Sequence, residues 1–141
     1  MVSLADAARI ALELPEVTEG ERYGGRTWAV AGKVFAWERP FSKADIKRFG
    51  TETPPSGDIL AIRVADLHEK EAVLGEGHKG FFTIEHFNGY PALLVQLKVA
   101  GKKILRDAIL DGWLAIAPRK LADEFLAGSR PGRLAATPSS G

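Results

Sequence analysis

Residues 78–97, HKGFFTIEHFNGYPALLVQL, decide the fold of this chain. Two apolar runs, 81–84 and 92–97, flank a loop that contains Asn88 and Gly89. The Asn-Gly pair is a strong turn signal because both residues tolerate the positive φ angles that tight turns require. Aromatic and branched residues on both sides of such a turn predict two antiparallel β-strands.

Two helices are predicted to follow these strands. In residues 102–117, apolar side chains recur at helical spacing on one face, and Leu110, Leu114 and Ala117 form a second stripe. A helix that is apolar on two sides packs against two neighbours. The second neighbour is predicted to be the next helix, residues 118–128, which begins near Pro118 and ends near Gly128.

The upstream part of the chain predicts one helix, a hairpin and a single strand. Apolar residues at helical spacing in residues 4–14 follow a Ser3 cap, and residues 16–25, rich in Glu and Gly, predict a loop. Residues 27–31 and 33–38 flank Gly32 and predict a hairpin. The polar segment 39–57 can contain a short helix at 43–48. A strand is predicted at 58–64, followed by a short helix capped by Asp66.

The resulting order of elements is α-β-β-β-α-β-β-α-α, with hairpins in place of βαβ crossovers. Such connections predict an α+β fold in which an antiparallel β-sheet has helices packed on one face. The other face of the sheet is then free to meet solvent or a partner.

The composition limits the possible classes of protein. The chain has 141 residues, 45% of them hydrophobic, which suits one domain at 1–128, and the composition of residues 129–141 predicts a disordered tail. A net charge of +1 excludes strong attraction of polyanions by the whole molecule, so a nucleic-acid surface must be a local patch. The chain contains no cysteine and no apolar run near the ~20 residues of a membrane span, so we expect a cytoplasmic protein without a membrane partner.

Several segments resemble those of the MmcQ/YjbR family. They are GGRTWAVAGKVFAWERP (24–40), RVADL (63–67), FFT (81–83), HFNGYP (86–91) and APRKL (117–121), and the likeness extends to about Phe125. Members of that family are small bacterial α+β proteins with a CyaY-like, or double-wing, fold, and their usual label is DNA-binding protein. The resemblance implies that fold and that label for this chain, but it implies no mechanism.

Motifs for catalysis and metal binding are incomplete. Residues 75–80 match G-x-G-x-x-G, but they follow a helix and precede a strand, the reverse of the dinucleotide-binding context. His68, His78 and His86 lack the i, i+4 spacing of a zinc-binding helix, and no serine lies in a G-x-S-x-G elbow. We therefore predict no metal site, no cofactor and no enzymatic activity. The sequence leaves open whether His78 and His86 converge in space.

Basic residues form three clusters along the chain, at 39–48, at 98–106 and from Arg119 onward, and the fold could bring two of them together beside aromatic rings. The nucleic-acid-binding candidates are Arg39, Lys43, Lys47, Arg48, Lys98, Lys102, Lys103, Arg106, Arg119 and Lys120. The candidate ligand-stacking residues are Trp37, Phe41, His86, Asn88 and Tyr90. Cations beside exposed rings can neutralise phosphates while bases stack. The simpler interpretation, solubilising charge on an ordinary surface, stays open.

Two hypotheses about function follow from these residues. The first is a non-catalytic protein that binds DNA, or nucleic acid more generally, through the basic clusters beside exposed aromatic rings. The second is an adaptor that binds a protein or a small molecule, with residues 37–41 and the 86–90 loop as a partly apolar patch. We expect Trp28, Phe35, Phe82 and Trp113 to lie in the core instead.

Overall fold

A computed structural model describes residues 2–22 and 24–128. The elements follow one another as α1 (Leu4–Leu12), β1 (Val17–Arg22), β2 (Gly25–Val30), β3 (Lys33–Glu38), α2 (Lys43–Phe49), β4 (Ile59–Arg63), α3 (Leu67–Gly75), β5 (Phe81–Phe82), β6 (Ala92–Gln96), α4 (Lys102–Ile116) and α5 (Arg119–Gly128). Two 3₁₀ turns, Glu85–Phe87 and Leu97–Val99, flank β6. The predicted disordered tail, 129–141, lies outside the described residues.

The strands form one antiparallel sheet in the order β1-β2-β3-β4-β6-β5. This confirms the predicted α+β class and the antiparallel pairing of the two strands in the 78–97 segment. The observed order adds β1 to the predicted order, and it contains α2 at the place where the sequence allows a short helix, 43–48. Strand β5 is shorter than the predicted 81–84, because a 3₁₀ turn begins directly after Ile84.

The segment predicted as a loop at 16–25 is largely strand β1, so that prediction was wrong. Side chains from Thr18 to Arg22 are exposed, and the apolar alternation that marks a half-buried strand is therefore missing. Backbone pairing with β2 forms the strand, and Glu19 reinforces it by accepting from the guanidinium of Arg26 at 2.9 Å and from Nε1 of Trp28 at 3.0 Å. An edge strand of this kind carries little sequence signal.

Side chains from the two faces of the sheet pack into two separate clusters. Strand β4 shows the alternation, because Leu60 and Ile62 join the large core under α1, α3, α4 and α5, whereas Ile59 and Ala61 point to the other face. Trp28, Phe35 and Trp113 are fully buried in the large core, as predicted, and Phe82 packs in the smaller cluster instead.

The smaller cluster has a cover of its own. Trp37, Phe41 and Phe82 pack against it, Phe87 of the first 3₁₀ turn is buried in it, and Phe49 of α2 contacts Phe41. The sheet face that the sequence leaves open for a partner is therefore partly covered at this end. A groove remains open beside Trp37 and Phe87, and this groove is the candidate site.

Candidate ligand-binding groove

A groove of about 900 Å³ opens beside the smaller cluster. Its lining includes Arg22, Thr27, Trp37, Glu38, Arg39, Asp45, Arg48, His86, Phe87 and Tyr90, and we name it the aromatic groove. The fold assembles it from the end of β3, the start of α2 and the 86–90 loop, which are distant in sequence. Its volume lies within the range of small-ligand sites.

Three aromatic rings form one wall of the aromatic groove. The ring centroids of Trp37 and Phe87 lie 6.3 Å apart, those of Trp37 and Tyr90 lie 6.5 Å apart, and Phe87 meets Tyr90 edge-on at 5.5 Å. Phe87 is buried, Trp37 is half-buried, and Tyr90 is 38% exposed. Trp37 and Tyr90 are thus the rings that a ligand can reach.

Two arginines line the groove together with these rings, and both contact carboxylates. The guanidinium of Arg39 lies 5.6 Å from the ring centroid of Phe87 and 2.9 Å from the carboxylate of Asp45. Arg48 lies 3.1 Å from Glu85 and 3.7 Å from Asp45. Asp45 and Glu85 together compensate much of the positive charge of these two arginines. The two arginines therefore add little net positive charge to the groove.

Asp45 connects α2 to the groove. Its side chain is buried, and burial by itself would raise the pKa of the carboxyl. The backbone N–H of Ser42 donates to it at 2.9 Å and Arg39 adds an opposite charge, so the net effect is a pKa below the ordinary value. Asp45 is consequently ionised at neutral pH and fixes both the start of α2 and Arg39.

A buried lysine holds the 86–90 loop in place. Nζ of Lys70 donates to the carbonyl oxygens of Phe87 at 2.6 Å and Tyr90 at 2.9 Å, and the residue is only 6% exposed. Burial lowers the pKa of Lys70. Sequence reasoning missed this residue, although it lies at helical spacing from Val73 and Leu74, on the inward side of α3.

Arg63 is a second residue that sequence reasoning missed. Its guanidinium lies 5.3 Å from the ring centroid of Tyr90, and its Nε donates to the carbonyl oxygen of Pro91 at 3.2 Å. Arg63 therefore supports the ring of Tyr90 from behind. An isolated arginine at the end of a strand gives no sequence signal for such a role.

The structure brings together five of the predicted site residues and disperses the rest. Trp37, Arg39, Arg48, His86 and Tyr90 line the aromatic groove. Lys43 and Lys47 are exposed on α2, Asn88 is exposed after the first 3₁₀ turn, and Phe41 packs against Phe49 and Phe82 at 5.4 and 6.1 Å. His78 lines a different cleft from His86, so the two histidines do not form one site.

The basic residues of the second cluster (98–106) and of the third cluster (Arg119 and Lys120) do not line the aromatic groove. Several of their members contact partners elsewhere: Lys98 with Ser56 at 3.1 Å, Lys103 with Asp107 at 3.3 Å, Arg106 with Glu13 at 3.4 Å and Arg119 with Asp123 at 3.9 Å. Lys102 and Lys120 are exposed near the starts of α4 and α5. Three of these six cations thus pair with acidic residues, and none of the six lines the groove.

Two further properties concern the described part of the chain. No group of three or more His, Cys, Asp or Glu residues there could hold a metal ion. None of its helices combines the length and the apolar character needed to cross a bilayer.

Comparison with known proteins gives close relatives. Uncharacterized protein Rv2570 of Mycobacterium tuberculosis and uncharacterized protein Mb2600 of Mycobacterium bovis are each 41% identical to the chain over 132 residues, which cover 92% of this chain and 99% of the relative. No protein-family model and no solved structure matches the chain significantly. Identity at this level over nearly the full length shows common descent, and the chain belongs to the same family as these mycobacterial proteins.

Proposed function

We propose that the protein is a non-catalytic binding protein of the MmcQ/YjbR type, with the double-wing fold of that family, and that it binds single-stranded nucleic acid in the aromatic groove. Two of the segments that resemble the family contribute residues to this groove. The 24–40 segment contributes Trp37 and Arg39, and the 86–91 segment contributes His86 and Tyr90.

One observation carries the proposal: reachable rings and two arginines adjoin in a single groove. Stacking of a base on an aromatic side chain contributes about 1–3 kcal/mol, whatever the base. Trp37 and Tyr90 offer such rings, while Arg39 and Arg48 lie within the same lining. Lys43 and Lys47 are exposed on α2, and we expect them to meet a phosphate backbone that leaves the groove.

The distribution of charge favours a single strand over a duplex. A duplex presents phosphates over a wide surface and is bound by a matching basic surface. Here the cations outside the groove are interspersed with acidic partners, and the net charge is only +1. A recessed groove with aromatic rings suits the accessible bases of a single strand. In a duplex the bases are paired and stacked, so they cannot enter the groove.

The contacts of the groove carboxylates support binding in preference to catalysis. Asp45 already accepts from Ser42 and pairs with Arg39, and Glu38 accepts from the backbone N–H of Arg26 at 3.2 Å. A general acid or base needs a side chain that is free to exchange a proton with a substrate. Both carboxylates serve the structure instead.

A second candidate is an adaptor that binds a protein or a small molecule. The pairing of Arg39 with Asp45 and of Arg48 with Glu85 favours it, because these contacts reduce the positive charge available to a polyanion. A ligand held mainly by Trp37 and Tyr90 would bind with little dependence on salt.

Fluorescence anisotropy with a short labelled oligothymidylate, alone and as a duplex, tests the proposal. At low salt we expect the single strand to bind with a Kd below roughly 100 μM and the duplex to bind more weakly. Tyr90→Ala should weaken binding by roughly fivefold or more through lost stacking, and Arg48→Gln should lower the slope of log K against log salt by about 0.7.

The matched control is Lys102→Gln with Lys103→Gln, which removes two exposed cations that do not line the groove. We expect this double variant to bind nearly as the wild type does. Absence of binding at low salt, or an equal loss in the control, would rule the proposal out. Salt-independent, saturable binding of a protein or small molecule would support the adaptor.

A further inference from the structure

A second cleft, of about 570 Å³, lies on the helix-covered face of the sheet between α3 and α4. Its apolar floor includes the half-buried Val73, Ile104 and Leu114, and its rim carries Glu69 from α3 with Asp107 and Asp111 from α4. We name it the acidic cleft. It shares no lining residue with the aromatic groove.

The carboxylates of the acidic cleft are only partly compensated. Asp107 lies 3.3 Å from Nζ of Lys103, and Glu76, at the end of α3, lies 2.7 Å from Nε2 of His78. In the described part of the chain, Glu69 and Asp111 form no ion pair. This contrasts with Arg39, Arg48 and Asp45 in the aromatic groove, which all have oppositely charged partners.

The surroundings of Asp111 show the effect of this imbalance. The pKa of its carboxyl is raised, first by partial burial in the cleft and then by the charges of Glu69 and Asp107. These like charges repel one another, and because Asp111 and Asp107 are solvent-exposed, water screens part of the repulsion. A positive ligand in the cleft would relieve this repulsion.

The spacing of the acidic residues and the apolar floor of the cleft indicate which kind of cation could bind. No three acidic or histidine side chains in residues 2–22 and 24–128 are close enough to hold a metal ion, so the charges suit a ligand whose own charges are spread out. The floor of Val73, Ile104 and Leu114 favours methylene groups, which gain free energy on leaving water. A chain that alternates methylene runs with ammonium groups matches both properties.

We propose that the acidic cleft binds a linear aliphatic polyamine, with ammonium groups at Glu69, Asp107 and Asp111 and methylene groups on the apolar floor. The size of the cleft is in the range of small-ligand sites. Charge complementarity selects this ligand over neutral apolar molecules, and the apolar floor selects it over small inorganic cations.

Isothermal titration with spermidine, 1,8-octanediol and MgCl2 separates these contributions. Spermidine carries both features, the diol carries the methylene chain without charge, and Mg²⁺ carries charge without methylene groups. We expect saturable binding of spermidine with a Kd below about 1 mM, and weaker or no binding of the other two probes. Equal binding of the diol or of Mg²⁺ would overturn the proposal, as would the absence of spermidine binding.

The decisive variant is Glu69→Gln combined with Asp111→Asn, and the matched control is Glu71→Gln combined with Glu124→Gln. Glu71 and Glu124 are exposed acids outside the cleft, so both double variants lose the same charge. We expect the cleft variant to bind spermidine about tenfold more weakly and the control to keep the wild-type affinity. An equal loss in both would mean non-specific attraction and would contradict the proposal.

Discussion

The aromatic groove and the acidic cleft, on opposite faces of one sheet, differ in how the fold treats charge. In the groove, Arg39 and Arg48 contact carboxylates, and burial of Asp45 is offset by its hydrogen bonds and by Arg39. In the cleft, Asp111 faces Glu69 and Asp107, and its pKa is raised. Charges that the fold pairs internally contribute to stability, whereas charges that it leaves unpaired beside an apolar surface remain available to a ligand.

The largest effect is expected where the paired charges are most buried. Asp45→Ala removes the N3 carboxylate of the capping box of α2 and leaves Arg39, whose side chain is only 18% exposed, without its partner. We expect a loss of about 2–4 kcal/mol in the free energy of unfolding, measured by urea denaturation. Asp123→Ala is the control, because Asp123 forms an exposed pair with Arg119 and should cost less than about 0.5 kcal/mol.

The dependence of stability on pH gives a second test of the role of Asp45. The folded-state pKa of Asp45 lies below its unfolded value near 3.8, so its stabilising contribution is present above that pH and is lost as pH falls through the folded pKa. Asp45→Asn should therefore lose less stability than the wild type between neutral pH and the acid range. Parallel pH curves for the two proteins would contradict the assigned role of Asp45.

The next effect concerns the helix that carries two acids of the cleft. At Gly112, an added Cβ would lie 2.8 Å from Cγ2 of Ile62 and 3.0 Å from the carbonyl oxygen of Arg63. Gly112→Ala should push α4 away from the sheet and cost about 1–3 kcal/mol in unfolding free energy. Gly75→Ala is the control, because no atom lies within 4 Å of its added Cβ, and it should not destabilise the protein.

A smaller effect is expected at the lysine that holds the 86–90 loop. Lys70→Met removes both hydrogen bonds to Phe87 and Tyr90, but each carbonyl keeps one backbone donor. We expect a loss of roughly 1 kcal/mol and faster amide exchange confined to the loop. Lys79→Met, at an exposed lysine, serves as the control. Unchanged exchange in the loop would exclude the proposed role of Lys70.

The smallest effect has the opposite sign. The raised pKa of Asp111 means that its ionised form is disfavoured in the folded state, so stability is fullest below the unfolded pKa and falls as pH rises through the folded one. Asp111→Asn should therefore stabilise the protein at neutral pH by a few tenths of a kcal/mol, because solvent screens this exposed site. The gain should vanish in acid, and a destabilised variant at neutral pH would refute the repulsion.

The elements that bury apolar side chains were predicted from the sequence. The strand that is held mainly by backbone hydrogen bonds, β1, was not predicted. The 78–97 segment and the amphipathic helix α4 carry clear periodic patterns, and their predictions were confirmed. Strand β1 was missed because its exposed Thr, Glu and Gly side chains resemble those of a loop.

The candidate site was predictable in part. Trp37, Arg39, His86 and Tyr90 were identified by residue type, but the pairing of Arg48 with Glu85 depends on contacts between α2 and a 3₁₀ turn far along the chain. Lys70 and Arg63 act through backbone carbonyls of the 86–91 segment, and such contacts leave no mark on composition or spacing. The acidic cleft was not predicted because its acids come from α3 and α4, and only the packing of these helices brings them together.

The central claim, that nucleic acid enters the aromatic groove, has a built-in reporter. Among the three tryptophans, Trp28 and Trp113 are fully buried and Trp37 is half-buried in the groove wall. In a low-salt titration with oligothymidylate, we predict that tryptophan fluorescence falls saturably with the same midpoint as the rise in anisotropy, and that Trp37→Phe abolishes the fluorescence change. A rise in anisotropy without any change in tryptophan fluorescence would contradict the claim, because the strand would then bind elsewhere on the protein.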